Sequence, residues 1–167
     1  MSNTLRVCME MLEQRNYKII RQEEDKIIAL KPDEEQMIVF FSDTQKFNVK
    51  NIQLYITIMN ELEIAHAIII YKEGVTSFTK KAILQTVDMK FELFLEEDLQ
   101  VNITKHKYQP NFEKIHPKTA QEIKKKFGTK FPILKKDDPI SRFYNFEKGD
   151  LIKVTRKNNN IIYRIVK

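Results

Sequence analysis

Leu5, Cys8, Met9 and Leu12 recur at i, i+3, i+4 and i+7, the spacing that lines one face of an α-helix, and predict a helix over 3–15. Asn16 and Tyr17 end it, and two short extended runs follow at 17–20 and 26–30, the second stopped by Lys31-Pro32-Asp33. Gln36-Met37-Ile38-Val39-Phe40-Phe41 and His66-Ala67-Ile68-Ile69-Ile70-Tyr71 are bulky and barely alternate. Such runs suit central strands covered on both faces. Between them Val49, Ile52, Ile56 and Met59 return to helical spacing. Gly74 marks a turn, Thr76 or Ser77 can cap a helix reaching about Thr86, and Met89 to Phe94 alternates as a strand with one polar face. Strand, helix, strand, helix, strand predicts a mixed α/β layer with right-handed crossovers.

Beyond about Glu97 the pattern changes. Pro110 and Pro117 punctuate a loop-rich stretch, and Pro117 suits the first position of a helix whose face is Ala120, Ile123 and Phe127, stopped by Gly128. Phe131 to Leu134 is an extended apolar patch. Asp138-Pro139 then reads as a turn, because proline fixes its own φ and restricts the residue before it. A short aromatic segment leads through Lys148-Gly149-Asp150 into a closing hairpin, with Ile152 and Val154 facing one way and Leu151, Lys153 and Thr155 the other. We read 137–154 as a compact docking module. The expected class is α/β (α+β overall): an α/β domain over 1–96 and a smaller α+β domain over 97–167.

Charge sharpens that division. Residues 1–100 carry 12 basic and 17 acidic side chains, whereas 101–167 carry 17 basic and 6 acidic, within a net charge of +6. Two modules with different partners fit this asymmetry. Lys124-Lys125-Lys126 with Lys130, Lys135 and Lys136 is the densest cationic run, either a solvated face or an attraction for phosphates or an acidic protein. Cys8 stands alone and rules out an internal disulfide. The N-terminus shows no signal-peptide pattern and no apolar run is long enough to span a bilayer, so an intracellular protein without a membrane partner is expected.

Candidate chemistry is sparse. His66, His106 and His116 share no metal-ligand spacing, and His66, opening an apolar strand, reads as structural. The acidic groups Glu23-Glu24-Asp25, Glu34-Glu35, Glu96-Glu97-Asp98 and Asp137-Asp138 read as solvated loops or helix starts, not as a desolvated acid/base pair. Three isolated glycines cannot form a phosphate loop. Glu24-Asp25-Lys26 matches the Glu-x-Lys of a metal-dependent nuclease, yet no acidic residue opens a strand before it. No catalytic residue, metal or cofactor is expected.

The ordered set of segments resembles the fifth-largest subunit of eukaryotic-type DNA-dependent RNA polymerases, whose C-terminal part is similar to a small component of the archaeal RNA polymerase. Carrying the resemblance are Met11 to Tyr17 with Gln22-Glu23-Glu24, Val39 to Asp43 with Lys46, Val49, Lys50 and Ile52, Ala67 to Ile70 with Thr76-Ser77, and Val101 to His106. The strongest block is Asp138-Pro139-Ile140-Ser141-Arg142-Phe143-Tyr144 through Lys148-Gly149, Lys153-Val154, Arg156 and Tyr163-Arg164. Departures include Asn145 where the family has glycine, Ile133-Leu134 without the usual arginine, and a hairpin turn cut to Lys157-Asn158-Asn159-Asn160.

The resemblance implies a nuclease-like jaw domain without nuclease chemistry and a C-terminal assembly domain that docks on the largest polymerase subunit. It implies that Asp138, Pro139, Arg142, Tyr144, Lys148, Gly149 and Lys153 build the docking surface. Thr76, Lys80 and Lys81 would lie against downstream duplex DNA as non-specific phosphate contacts. The partners are then the rest of the polymerase core, with no self-association. The short loops and the Lys/Ile/Asn bias point to a large DNA virus of eukaryotes, placing the protein in host cytoplasm or virion, and in the nucleus if the source is cellular. Two other classes stay open: a metal-dependent nuclease on the same α/β layer, and a stand-alone nucleic-acid-binding regulator.

Overall fold

A computed structural model describes residues 2–167 and divides the chain into two units, Met1–Val101 and Asn102–Lys167. The first unit begins with α1 (Asn3–Gln14), capped by the Ser2 hydroxyl and closed by Asn16 in the left-handed region (φ 66°). Strands β1 (Lys18–Gln22), β2 (Lys26–Leu30) and β3 (Gln36–Phe41) form an antiparallel meander. A two-residue strand, β4 (Lys46–Phe47), precedes α2 (Val49–Glu61), β5 (His66–Tyr71), the equally short β6 (Gly74–Val75), α3 (Ser77–Gln85) and β7 (Lys90–Leu95). A 3-10 turn over Glu96–Leu99 follows and packs against α1.

The five-stranded sheet has the order β1-β2-β3-β5-β7, with β3, β5 and β7 mutually parallel. The two non-alternating runs therefore lie side by side in the middle. Ile38, Phe40, Ala67 and Ile69 pack with Ile52 and Met59 of α2, and the ring of Tyr55 stacks on Phe40 at 4.0 Å. The alternate positions Met37, Val39 and Ile68 are fully buried too, as are Val7, Cys8, Met11 and Leu12 of α1. Burial pushes the Cys8 thiol up to about 12, so it is a core residue without nucleophilic character. An Asn48–Asn51 capping box opens α2, and the Thr76 hydroxyl accepts from Thr79 N–H to open α3. Gly74 sits in the β4–β6 bridge, a pairing absent from the sequence pattern because two residues carry no periodicity.

The second unit opens with a 3-10 turn over Ile103–Lys105 and contains β8 (Asn111–Lys114), α4 (Pro117–Phe127), β9 (Ile133–Leu134), α5 (Pro139–Tyr144), β10 (Leu151–Thr155) and β11 (Ile161–Val166). Its sheet runs β8-β10-β11-β9, antiparallel except for the β11–β9 pair. Leu134, Ile140, Phe146, Ile152, Val154 and Val166 form the core. Three expectations are corrected. The stretch before Pro117 contains strand β8, which finds its partner only once β10 is in place. Phe127 is exposed, at 63%, leaving Ala120 as the buried contact of α4. Asp138-Pro139 starts a helix instead of making a turn: proline occupies its first position, where no N–H is needed, and the Asp138 carboxylate accepts from Ile140 N–H at 2.9 Å.

Within the first unit a chain of charges crosses from α1 to the sheet. Arg15 donates through both terminal nitrogens to Glu92 of β7, at 2.9 and 2.8 Å. Glu92 meets His66 Nε2 at 2.7 Å, and His66 Nδ1 meets Glu35 at 3.2 Å. Tyr17 O–H and Lys31 Nζ both donate to Glu35 at 2.8 Å. His66 is thus a buried structural residue, as its strand position predicts. Glu35 and Glu92 depart from the polar-surface reading, since neither their loop nor their alternation marks them as partners.

Burial opposes ionisation at both carboxylates. At Glu92 the His66 hydrogen bond and the Arg15 guanidinium outweigh it, and at Glu35 hydrogen bonds from Lys31, His66 and Tyr17 do so; each is held at about 2. Both folded values lie below the ordinary 4.5, so their stabilisation is full above that pH and is lost as pH falls toward 2. Denaturant titrations across this range should show an acid limb that Glu92→Gln flattens. Arg15→Ala, which strands Glu92 and His66 without their cation, should cost the first unit about 3–5 kcal/mol at pH 7.

Candidate functional site

The end of β11 organises the exposed surface of the second unit. On one side Val166 exchanges backbone hydrogen bonds with the turn before β10: Gly149 N–H donates to Val166 O at 2.9 Å and Val166 N–H to Asp150 O at 3.0 Å. On the other, Ile165 N–H donates to Pro132 O, Lys167 N–H to Leu134 O and Lys136 N–H to Lys167 O. Three stretches distant in sequence are thereby fixed around one strand end. Between them lies a shallow depression of about 530 Å³, lined by Lys135, Lys136, Asp137, Arg142, Lys148 and Lys167.

Of the residues expected at a docking surface, Arg142 and Lys148 meet at this depression. Asp138 and Pro139 open the helix that carries Arg142, the former half-buried as its cap and the latter exposed. Gly149 is exposed at φ 91°, a conformation that side-chain-bearing residues rarely adopt, and it turns the chain into β10. Tyr144 is half-buried: its ring stacks on Phe146 at 5.2 Å and meets Phe143 edge-on at 5.4 Å, so it serves the core as well. Lys153 lies apart, in mid-strand between Glu113 and Tyr163, on the face opposite Ile152 and Val154. Lys167 is missing from the sequence expectation, and only the β9–β11 pairing reveals it. Phe143 is buried within the unit.

Asn145 stands where the resembling family has glycine. Its backbone is left-handed (φ 55°, ψ 43°) at the end of α5, and asparagine is the residue best able to replace glycine there. In the first unit, Thr76 spends its hydroxyl on α3, accepting from Thr79 N–H at 3.2 Å and lying 2.7 Å from the Thr79 hydroxyl. Lys80 and Lys81 are exposed on the same helix.

Glu24, Asp25, Asp43 and Glu96 border a separate cleft of about 680 Å³ at the ends of β3 and β5. Lys72 pairs with Asp43 there at 2.6 Å, and Lys26 pairs with Asp25 at 3.1 Å. Among the described residues no group of three or more His, Cys, Asp or Glu is arranged to hold a metal ion.

Residues 101–166, spanning the whole second unit but its last residue, match the family described as RNA polymerase Rpb5, C-terminal domain. The Invertebrate iridescent virus 6 protein named DNA-directed RNA polymerase subunit 454R is 34% identical over 184 aligned positions, covering 99% of each chain. The chain belongs to the Rpb5 family. Likeness to the Dictyostelium discoideum DNA-directed RNA polymerases I, II, and III subunit rpabc1 is 28% over 96% of this chain and 93% of that one. The Arabidopsis thaliana DNA-directed RNA polymerase V subunit 5C is 31% identical over 72% of this chain and 53% of its own length. The Rpb5 relationship thus reaches the α/β unit as well as the β11-centred module.

If the turns around α5 set the Rpb5 surface, they respond by backbone type. Gly149→Ala meets no neighbour within 4 Å but forces alanine to φ 91°, and should lower stability by about 1 kcal/mol. Asn145→Gly should be nearly neutral, while Asn145→Val should cost at least about 1 kcal/mol. Asp138→Ala should cost about 0.5–2 kcal/mol through the lost cap. Thermal unfolding of the full chain checks all four.

Proposed function

We propose that this Rpb5-family chain is a non-catalytic subunit of a multisubunit DNA-dependent RNA polymerase. Its C-terminal domain docks on the largest subunit and its N-terminal domain, over about 1–96, forms part of the jaw beside downstream DNA. The observation that carries the proposal is the full-length likeness to a viral polymerase subunit, joined to a family match over the module that presents Arg142 and Lys148. Arg142 supplies charge-assisted hydrogen bonds to the partner and Lys148 a second cation, while Pro139 and Gly149 shape the backbone beneath them. Tyr144 adds aromatic area where it is exposed. Asp138 contributes mainly as a cap, and Lys153 belongs to the periphery of the contact.

For the jaw, Lys80 and Lys81 make sequence-independent phosphate contacts, with Thr76 fixing the helix that bears them. The acidic balance of residues 1–100 keeps this contact weak unless the polymerase holds the DNA in place. The likeness to an iridescent-virus protein favours a viral enzyme working in host cytoplasm or carried in the virion.

Affinity purification from the native source should recover the chain in stoichiometric complex with the large polymerase subunits. Arg142→Ala should weaken that association about tenfold or more, the loss of one charge-assisted pair. The isolated chain should neither retain duplex DNA at moderate salt nor nick supercoiled plasmid with Mg²⁺ or Mn²⁺. A chain that travels alone and shifts DNA would establish a stand-alone regulator, and nicking would establish a nuclease.

A further inference from the structure

The depression at the end of β11 gathers five cations and one anion. Lys135 and Lys136 continue from β9, and the Lys136 N–H bond to Lys167 O (2.9 Å) sets Lys136 beside Lys167. Lys148 immediately precedes Gly149, which grips the other side of the same strand end, and Arg142 reaches in from α5. Asp137 is the single carboxylate in the lining. The nearest alternatives are engaged elsewhere: Asp138 caps α5, and Asp150 accepts from Glu147 N–H at 2.8 Å and pairs with Lys114 at 3.1 Å. Concentrating like charge on one small surface destabilises a free subunit unless a partner supplies the opposite sign.

We infer that this depression receives an acidic segment of the largest polymerase subunit, carrying at least two Asp or Glu side chains. The inference rests on the docking reading above and names the chemistry of the partner surface. Arg142 is suited to a bidentate carboxylate contact, and the lysines around it take further carboxylates as point charges. A peptide fits better than nucleic acid on grounds of shape. The site is one closed hollow large enough for a few side chains, whereas a nucleic-acid backbone calls for cations strung along a track at phosphate spacing. The Lys124–Lys126 run of α4, which would extend such a track, is not in its lining.

The test uses native polymerase containing the full-length chain. A water-soluble carbodiimide joins a lysine amine to a carboxylate only where the two touch, and the products are mapped by mass spectrometry. Lysine acetylation rates are measured in parallel on the free chain, on the polymerase, and on the polymerase with template DNA. The expected result is amide links from Lys135, Lys136, Lys148 or Lys167 to a single acidic segment of the largest subunit, with acetylation there slowed about tenfold or more on assembly. Lys136→Glu with Lys148→Glu should block incorporation, and the Arg versions at both positions should restore it. Their thermal unfolding is checked first, because both sites are exposed and a fold defect would show there.

If the chain is in the polymerase but these lysines stay reactive and unlinked, the inference falls while docking stands. Protection that appears only with template overturns it in favour of a nucleic-acid contact. A chain absent from purified polymerase overturns both readings.

Discussion

Everything exposed on the C-terminal unit hangs on the last residues of β11. Val166 is buried and bonded to the turn before β10, while the residues on either side of it bond to 132–136. Two short segments that could not hold a shape alone become edges of one sheet. Gly149 can make its turn only because it tolerates φ 91°, and α5 starts where it does because Asp138 caps it and Pro139 needs no donor. The cations are thus positioned by backbone pairing and not by partners for their charges.

The α/β unit solves a different problem. Its central strands are covered on both faces, so nearly every side chain on β3 and β5 must be apolar, and polar groups are confined to the strand ends. His66 sits at such an end. Flanked by Glu35 and Glu92, with Arg15, Tyr17 and Lys31 satisfying the remaining oxygens, it ties the end of α1, the turn before β3 and the edge strand β7 together. A buried chain of charges costs desolvation and rewards one geometry only, a property suited to a module whose role is positional.

Much of this was readable from sequence, and the misses share a cause. The central strands, α1, α2, and the Thr76 cap announce themselves through local periodicity and capping residues. Glu35 and Glu92 did not, because one lies in a charged loop and the other on the polar side of an alternating strand; only tertiary pairing with His66 separates them from solvated carboxylates. Phe127 obeyed helical spacing yet faces water, since α4 meets too little of the core to cover a third position. Asp138-Pro139 was ambiguous at two-residue scale: the same pair opens a turn or a helix, and the backbone N–H of Ile140 decided between them. At the candidate surface, Arg142 and Lys148 carry a recognisable pattern, but Lys167 joins them only through parallel pairing across more than thirty residues, which no local window contains.

An Rpb5-family chain with a pinned α/β unit and a cationic hollow at one strand end is built to be held by something larger. The most direct measurement is a cryo-EM map of the native polymerase at side-chain resolution. The account predicts the C-terminal unit seated on the largest subunit, with Arg142, Lys148 and the end of β11 at the contact and α3 directed toward the downstream DNA channel. A map in which that strand end faces solvent, or in which this chain is missing from an active polymerase, would contradict it.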